Sequence, residues 1–356
     1  MLISTRVLYY KIPNNFTALI LIDNFFRFLK PSLTLFAKIF LFGKVLLAEK
    51  TLQEVNLLKN KKNAIIFSIF AMLLWGSAIP TIKTTYAELA INPADTGAKI
   101  LIAGMRLFMA GLITFIYLGL FNKEKIKRNE INWKFIIFIG IIQTFIQYIF
   151  YYIGLSHIAG VKSSIIQASN SFIVVIFSLL LLPGDKINKN MIIALILGTA
   201  GIIITNMGKA GGDAGFKLTG EGFILMSTTV NALCTVLIRK YGQKENSYFL
   251  MAMQFIIGAT LMIITGLLLR QEDLVFNTKA IILLIYAAFI SATAFTIWTI
   301  VLKYHSAGEF GVYKLFIPLF GSILSVIFLG ESFTIYLAIG MVLVLAGSLV
   351  LNKGKA

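Results

Sequence analysis

Residues 309–329 read EFGVYKLFIPLFGSILSVIFL and residues 333–352 read FTIYLAIGMVLVLAGSLVLN. Each run is about 20 residues, the length that crosses roughly 30 Å of hydrocarbon as an α-helix. Gly330-Glu331 stands between them, and Gly347 and Asn352 follow. The same punctuation occurs earlier in the chain. Gly184-Asp185, Gly201 and Asn206 precede Gly330-Glu331, Gly347 and Asn352 by 146 residues each. Further upstream, Tyr151 and Leu155 match Trp298 and Leu302 at an offset of 147, and Met105-Arg106 matches Met253-Gln254 at 148. Such self-similarity marks two copies of one structural unit.

Working outward, ten apolar segments can be marked: 63–85, 97–121, 132–154, 163–182, 190–206, 220–240, 247–269, 278–302, 309–329 and 333–352. Each is expected to be a helix, because the bilayer core offers no water to an open backbone. Composition agrees: 58% of residues are hydrophobic and 13% charged, against about 45–50% and 25% in soluble domains. The expected fold is an all-α membrane protein of ten transmembrane helices, arranged as two five-helix repeats. The expected division is 61–206 for the first repeat, 207–219 for an outside linker and 220–352 for the second repeat. An odd number of crossings per repeat inverts the second relative to the first. Inverted repeats meet around a midplane cavity and offer two near-equivalent packings, one open to each side.

Lysine and arginine in the connections orient the chain. Fifteen of them fall on the side holding Lys59, Lys61, Lys62 and the C-terminal tail, and five on the other: Lys162, Lys209, Lys217, Arg270 and Lys279. Both termini are therefore expected in the cytoplasm, in a cell inner membrane. The same placement accounts for the net charge of +17 without nucleic acid. Residues 1–60 mix apolar residues with Arg27, Lys30, Lys38 and Lys44. They read either as an interfacial segment on the cytoplasmic leaflet or as a start assigned too far upstream.

One cysteine, Cys234, and two histidines, His157 and His305, leave no disulfide framework and no expected metal centre or cofactor. All fifteen carboxylates lie in the extension, the connections or the helix ends. That disfavours a proton relay through a buried acid, and it removes the usual catalytic acids of a membrane enzyme. Polar residues instead form stripes. They comprise Ser77, Thr81 and Thr84; Gln143, Gln147 and Tyr151; Ser163, Gln167, Asn170 and Ser171; Ser227, Asn231 and Thr235; Ser291, Thr293 and Trp298; and Lys314, Ser322 and Ser325. Most sit three or four residues apart, which puts each set on one face of its helix. The helices bearing them are expected around a partly hydrated path, with segments 2, 5, 7 and 10 outside. The bland alternative is hydrogen bonding between packed helices.

Two cations stand away from the segment ends: Arg106 lies mid-way along segment 2 and Lys314 about five residues into segment 9. A mid-membrane charge costs roughly 2.5–3.5 kcal/mol on insertion scales, so it calls for a partner or a function. Lys314 is the expected substrate contact; Arg106, on a segment read as scaffold, is expected to be structural or gating. Lys83 and Lys99 are expected to snorkel outward. Pro80 and Pro318 interrupt helical hydrogen bonding and read as bends or gates. Small residues at Ala194, Gly198 and Gly201, and at Gly340, Ala346 and Gly347, allow close helix approach, within one chain or in a homodimer.

Taken in order, Leu74-Trp75-Gly76-Ser77, Arg106, the stretches from Leu155 and Leu302, Pro318, and Leu329-Gly330-Glu331 with Gly340 and Gly347 resemble the drug/metabolite transporter superfamily, in particular its EamA-type members. The resemblance spans about residues 63–352. It implies ten helices, an inverted repeat, a central cavity, and movement of metabolites or drugs. Two features depart from it: Ser171 stands where Pro318 has its counterpart, and Asp185 after Pro183 replaces the usual Glu.

The expected function is a secondary transporter, not an enzyme. It would move a small organic solute, amino-acid-like or otherwise polar and aromatic, and would act as an exporter. The expected substrate contacts are Trp75, Ser77, Gln143, Gln147, Tyr151, Gln167, Asn170, Asn231, Trp298 and Lys314. Pro80, Arg106, Pro318, Gly330 and Glu331 take structural or gating roles. The alternatives are a membrane enzyme on a lipid-linked substrate and a non-transporting sensor or assembly partner.

Overall fold

The computed structural model describes residues 58–92, 94–122, 126, 131–157, 163, 166–167, 169–182, 188–207, 218–329 and 335–353. Most of the extension, the Gly184-Asp185 and Gly330-Glu331 pairs, and most of residues 207–219 lie outside the described residues. Among the described residues the secondary structure is helical, with no strand.

The helices in chain order are α1 (Lys61–Glu88), α2 (Thr96–Phe121), α3 (Trp133–Ile139 and Gln147–His157, joined by a π-helical stretch Gly140–Ile146) and α4 (Asn170–Leu181). They continue as α5 (Lys189–Met207), α6 (Leu218–Lys244), α7 (Ser247–Leu269), α8 (Thr278–Tyr304), α9 (Ala307–Gly311 and Phe316–Leu329, joined by a 3₁₀ turn Val312–Leu315) and α10 (Ile335–Lys353). Seven described helices are long and apolar enough to cross a membrane: α1, α2, α3, α6, α7, α8 and α9. α4, α5 and α10 hold shorter apolar stretches.

The chain punctuates these helices with side chains that cap them. Asp95 Oδ1 accepts from Ala98 N at 2.8 Å, Asn277 Oδ1 from Ala280 N at 2.7 Å, and Asn60 Oδ1 from Lys62 N at 2.9 Å. Each satisfies an amide that the first helical turn leaves without a partner. Asp95 does more, since its other oxygen accepts from Gln271 N at 2.9 Å and from Glu272 N at 3.3 Å. It ties the start of α2 to the connection after α7.

The packing is reciprocal. α2 lies along α7, and α5 along α10. α1 packs against α8 and α9, while α6 packs against α3 and α4. Glycine makes the tightest crossings possible, because a side chain there would meet backbone. A Cβ on Gly201 would stand 2.7 Å from Gly340 O, and one on Gly347 would stand 2.9 Å from Ala194 O. The small residues of α5 and α10 therefore serve packing within the chain. The core follows the centre of the bundle through Met72, Leu107, Ile139, Phe255, Ile290 and Phe310. Large apolar side chains such as Ile116, Leu180, Ile285 and Leu349 are exposed on its outside.

Candidate substrate cavity

A cavity of about 140 Å³ opens among the helices, roughly ten times the space one water needs. Its wall takes Trp75 from α1, Arg106 from α2, Gln147 and Tyr151 from α3, and Asn170 from α4, with Gln167 just before it. Asn231 from α6, Phe295 from α8, and Lys314 and Pro318 from α9 also line it.

Lys314 reaches the wall because of how α9 begins. Pro318 has no N–H to close a helical turn on the Lys314 carbonyl, and Val312–Leu315 forms a 3₁₀ turn there. The side chain is 6% exposed. Its Nζ donates to Asn231 Oδ1 at 2.9 Å and to Thr235 Oγ1 at 3.0 Å, and lies 5.2 Å from the centre of the Trp298 ring. Asn231 Nδ2 donates to Gln147 Oε1 at 3.1 Å, and Asn170 Nδ2 donates to Asn231 Oδ1 at 3.1 Å and to Thr228 O at 3.0 Å. Gln167 Nε2 donates to Ser163 Oγ at 3.1 Å.

Arg106 is 4% exposed. Its Nε and Nη2 donate to Ser291 Oγ at 3.1 and 2.9 Å, and its Nη1 to the Tyr152 hydroxyl at 3.4 Å. The sequence had placed this residue on outer scaffold. The structure puts it on the cavity wall, because the face of α2 turned away from α7 meets α8 and the second part of α3.

The aromatic side of the cavity is built on Trp75. Its ring meets Phe295 edge-on at 4.9 Å and Trp298 at 6.2 Å. Trp298 is 4% exposed and stands behind the wall, supporting Trp75 and Lys314. Tyr148 joins the lining, and its ring lies 6.1 Å from Tyr152 and 6.3 Å from Tyr151.

Besides Trp298, two expected contacts, Ser77 and Gln143, stand off the wall. Ser77 Oγ donates to Leu74 O at 2.8 Å and lies 3.2 Å from the Tyr286 hydroxyl. Two residues along a helix are about 200° apart, so Ser77 and Trp75 cannot share a face. Gln143 is buried in the π-helical stretch, off the wall, with Oε1 unpartnered. Gln143 stands four residues before Gln147, and of the set Gln143, Gln147 and Tyr151 the cavity wall takes only the last two. Pro80 is buried inside α1, away from the cavity. Ser171, opposite Pro318 in the repeat, donates to Gly311 O at 3.1 Å and so pins α4 to the start of α9. Lys99 is 7% exposed and does not snorkel, whereas Lys83 is exposed. Gly330 and Glu331 lie outside the described residues.

Sequence reading missed Tyr148, Thr228 and Phe295. Phe295 was within reach, three residues before Trp298 and so on its face. Tyr148 had only Arg106 to signal it, since a buried guanidinium demands polar neighbours. Among the described residues, no group of three or more His, Cys, Asp or Glu side chains could hold a metal ion.

Comparison with known proteins gives one consistent answer. The model of the EamA-like transporter family matches twice, over residues 62–207 and 218–353. The uncharacterized transporter YvbV of Bacillus subtilis (strain 168) is 27% identical over 299 residues, covering 83% of this chain and 94% of the relative. The uncharacterized transporter YetK of the same organism is 22% identical over 306 residues, covering 83% and 88%. An uncharacterized transporter of Archaeoglobus fulgidus is 22% identical over 291 residues, covering 81% and 96%. A crystal structure with 17% sequence identity shares the fold at a TM-score of 0.69, covering 83% of this chain and 100% of its own. The chain is a multi-pass membrane protein and belongs to the EamA-like transporter family.

Proposed function

We propose that the chain is a secondary transporter, not an enzyme, that moves a small organic solute across the cytoplasmic membrane by alternating access. In this reading ten helices cross the membrane as two inverted five-helix repeats, the shorter α4, α5 and α10 included, with both termini in the cytoplasm. Export is the direction to test. The carrying observation is the cavity, whose polar wall draws Gln147 and Asn170 from one half of the chain and Asn231 and Lys314 from the other. The inversion is supported by the reciprocal packing, in which α1 meets α8 and α9 while α6 meets α3 and α4. It is supported too by the two stretches that the family model matches.

Two packings of inverted repeats around one midplane site give an inward-open and an outward-open state. A solute held by side chains of both halves would be handed over when one half rocks against the other. The test is counterflow. Proteoliposomes preloaded with amino acids, organic acids or nucleosides are expected to take up the matching labelled solute, saturably. Absence of exchange for every solute, from protein that melts cooperatively, would defeat the carrier reading.

A further inference from the structure

We infer that the solute is a net-anionic organic carboxylate bearing a hydroxyl group, with the carboxylate received by Lys314 and Trp75 and its charge balanced further by Arg106; this rests on the carrier reading above. Lys314 and Arg106 both face one cavity, and each is more than nine-tenths buried. Neither has a carboxylate partner among the described residues: their hydrogen bonds go to the amide of Asn231 and to the hydroxyls of Thr235, Ser291 and Tyr152. The described carboxylates lie at helix ends and in connections, where Glu88 meets Lys279, Glu309 meets Lys61 and Asp273 meets Arg270. Two buried positive charges facing one cavity without a counter-ion are costly. A carboxylate entering the cavity lowers that cost by balancing one of the two charges, which no neutral solute does.

Two further atoms define the rest of the solute. Trp75 lines the cavity, and its indole N–H is a buried donor without a partner. Asn170 lines it too, and its Oδ1 is a buried acceptor without a partner. A buried polar atom left without a partner is unfavourable until something supplies one. A solute with a carboxylate and a hydroxyl supplies both. An ammonium could also donate to Asn170, but it would face the two buried cations, so the observations favour a hydroxy acid over a zwitterionic amino acid. Trp75, Phe295, Ile317 and Pro318 would take the apolar body.

The experiment uses the full chain, purified in detergent and in proteoliposomes. The probes are lactate, 3-phenyllactate, their neutral amides, phenylalanine, inorganic phosphate and uridine. At least one of the two hydroxy acids is expected to raise the melting temperature and to exchange in counterflow, and its amide to do neither. Lys314→Gln is expected to weaken that binding by at least about tenfold, the scale of a lost charge-assisted hydrogen bond. Lys314→Arg, which keeps the charge, is expected to retain more of it and guards against a misfolded Gln variant. If the amides, phenylalanine, phosphate or uridine bind as well as the hydroxy acids, the proposed class is overturned; if they also exchange, the carrier reading stands. If a hydroxy acid binds but nothing exchanges, the carrier reading falls and the class stands. If nothing binds and nothing exchanges, both fall.

Discussion

The Lys314 ammonium donates to Asn231 Oδ1 at 2.9 Å, and the same oxygen takes a second bond from Asn170 Nδ2 at 3.1 Å. Asn231 Nδ2 then reaches Gln147 Oε1 at 3.1 Å. One amide on α6 thus joins α3, α4 and α9 at the cavity wall. A carboxamide suits this position because it accepts and donates at once. A hydroxyl would be too short to span the three partners, and an apolar residue would cost each of them one bond, leaving Lys314 with Thr235 and Asn170 with Thr228.

Substitutions at Asn231 separate packing from charge. Asn231→Leu leaves Gln147 and Asn170 each short of a partner, at about 1–3 kcal/mol for a buried polar group left unsatisfied. It is expected to lower the melting temperature in detergent and to abolish solute exchange. Asn231→Asp should behave differently. Its carboxylate would sit beside Lys314 Nζ as an internal counter-ion, keeping the protein folded while closing the site to an external anion. The check is melting and counterflow on both variants. An Asp variant that exchanges organic acids at the wild-type rate contradicts the role given to Lys314.

Gly201 and Gly119 make a matched pair for testing the α5–α10 seam. A Cβ on Gly201 would stand 2.7 Å from Gly340 O, closer than real contacts allow, whereas one on Gly119 would meet nothing within 4 Å. Gly201→Ala should destabilise by about 1–3 kcal/mol, the usual range for overpacking. Gly119→Ala should be neutral or slightly stabilising, since alanine favours a helix by up to about 1 kcal/mol over glycine. Thermal unfolding in detergent of the two variants side by side decides it. Equal behaviour would mean that α5 and α10 do not pack as described.

The fold was legible because a bilayer leaves an apolar run of about 20 residues little choice but helix. The site was legible in part. Lys314, Asn231, Gln147 and Asn170 stood out because polar groups in apolar segments are costly enough to need a reason. Ser77 misled because it sits in the same short stretch as Trp75, and adjacency along the chain says little about facing. Gln143 misled because sharing a stripe with Gln147 and Tyr151 does not say how far along α3 the cavity extends. Arg106 was undervalued because the few polar residues on its own helix concealed what α3 and α8 bring to it.

Asp95 gives the protein an acid-sensitive joint at the start of α2. Burial works against its charge, but backbone N–H groups of Ala98, Gln271, Glu272 and Gly97 outweigh burial and hold the carboxyl below its usual range. A carboxylate depressed in the folded state stabilises above its unfolded value of roughly 3.9, and that support is lost as pH falls through the folded value. Asp95→Ala should therefore cost about 1 kcal/mol at neutral pH, the usual size of a lost helix cap. The gap between wild type and variant should narrow below about pH 4, as the wild-type carboxyl takes up its proton. Melting temperatures from pH 7 down to pH 3 test this, and a constant gap would assign the effect to packing alone.

Trp75 and Ser77 lie two residues apart in α1 and should separate cleanly in transport. The Trp75 ring lines the cavity with its indole N–H buried and unpartnered. Trp75→Phe keeps an aromatic surface against Phe295 but removes that donor. The loss of one hydrogen bond, about 0.5–1.5 kcal/mol, is expected to weaken solute binding by roughly three- to tenfold while leaving the fold intact. Ser77 faces Tyr286 instead, with its hydroxyl bonded to Leu74 O. Ser77→Ala should leave exchange within about twofold of wild type, with a stability change below about 1 kcal/mol, because the Leu74 bond is local and the Tyr286 contact is exposed. Concentration-dependent counterflow on the two variants, each checked by melting, tests the assignment of faces. A Ser77 variant more impaired than the Trp75 variant would mean that α1 presents its other side to the solute.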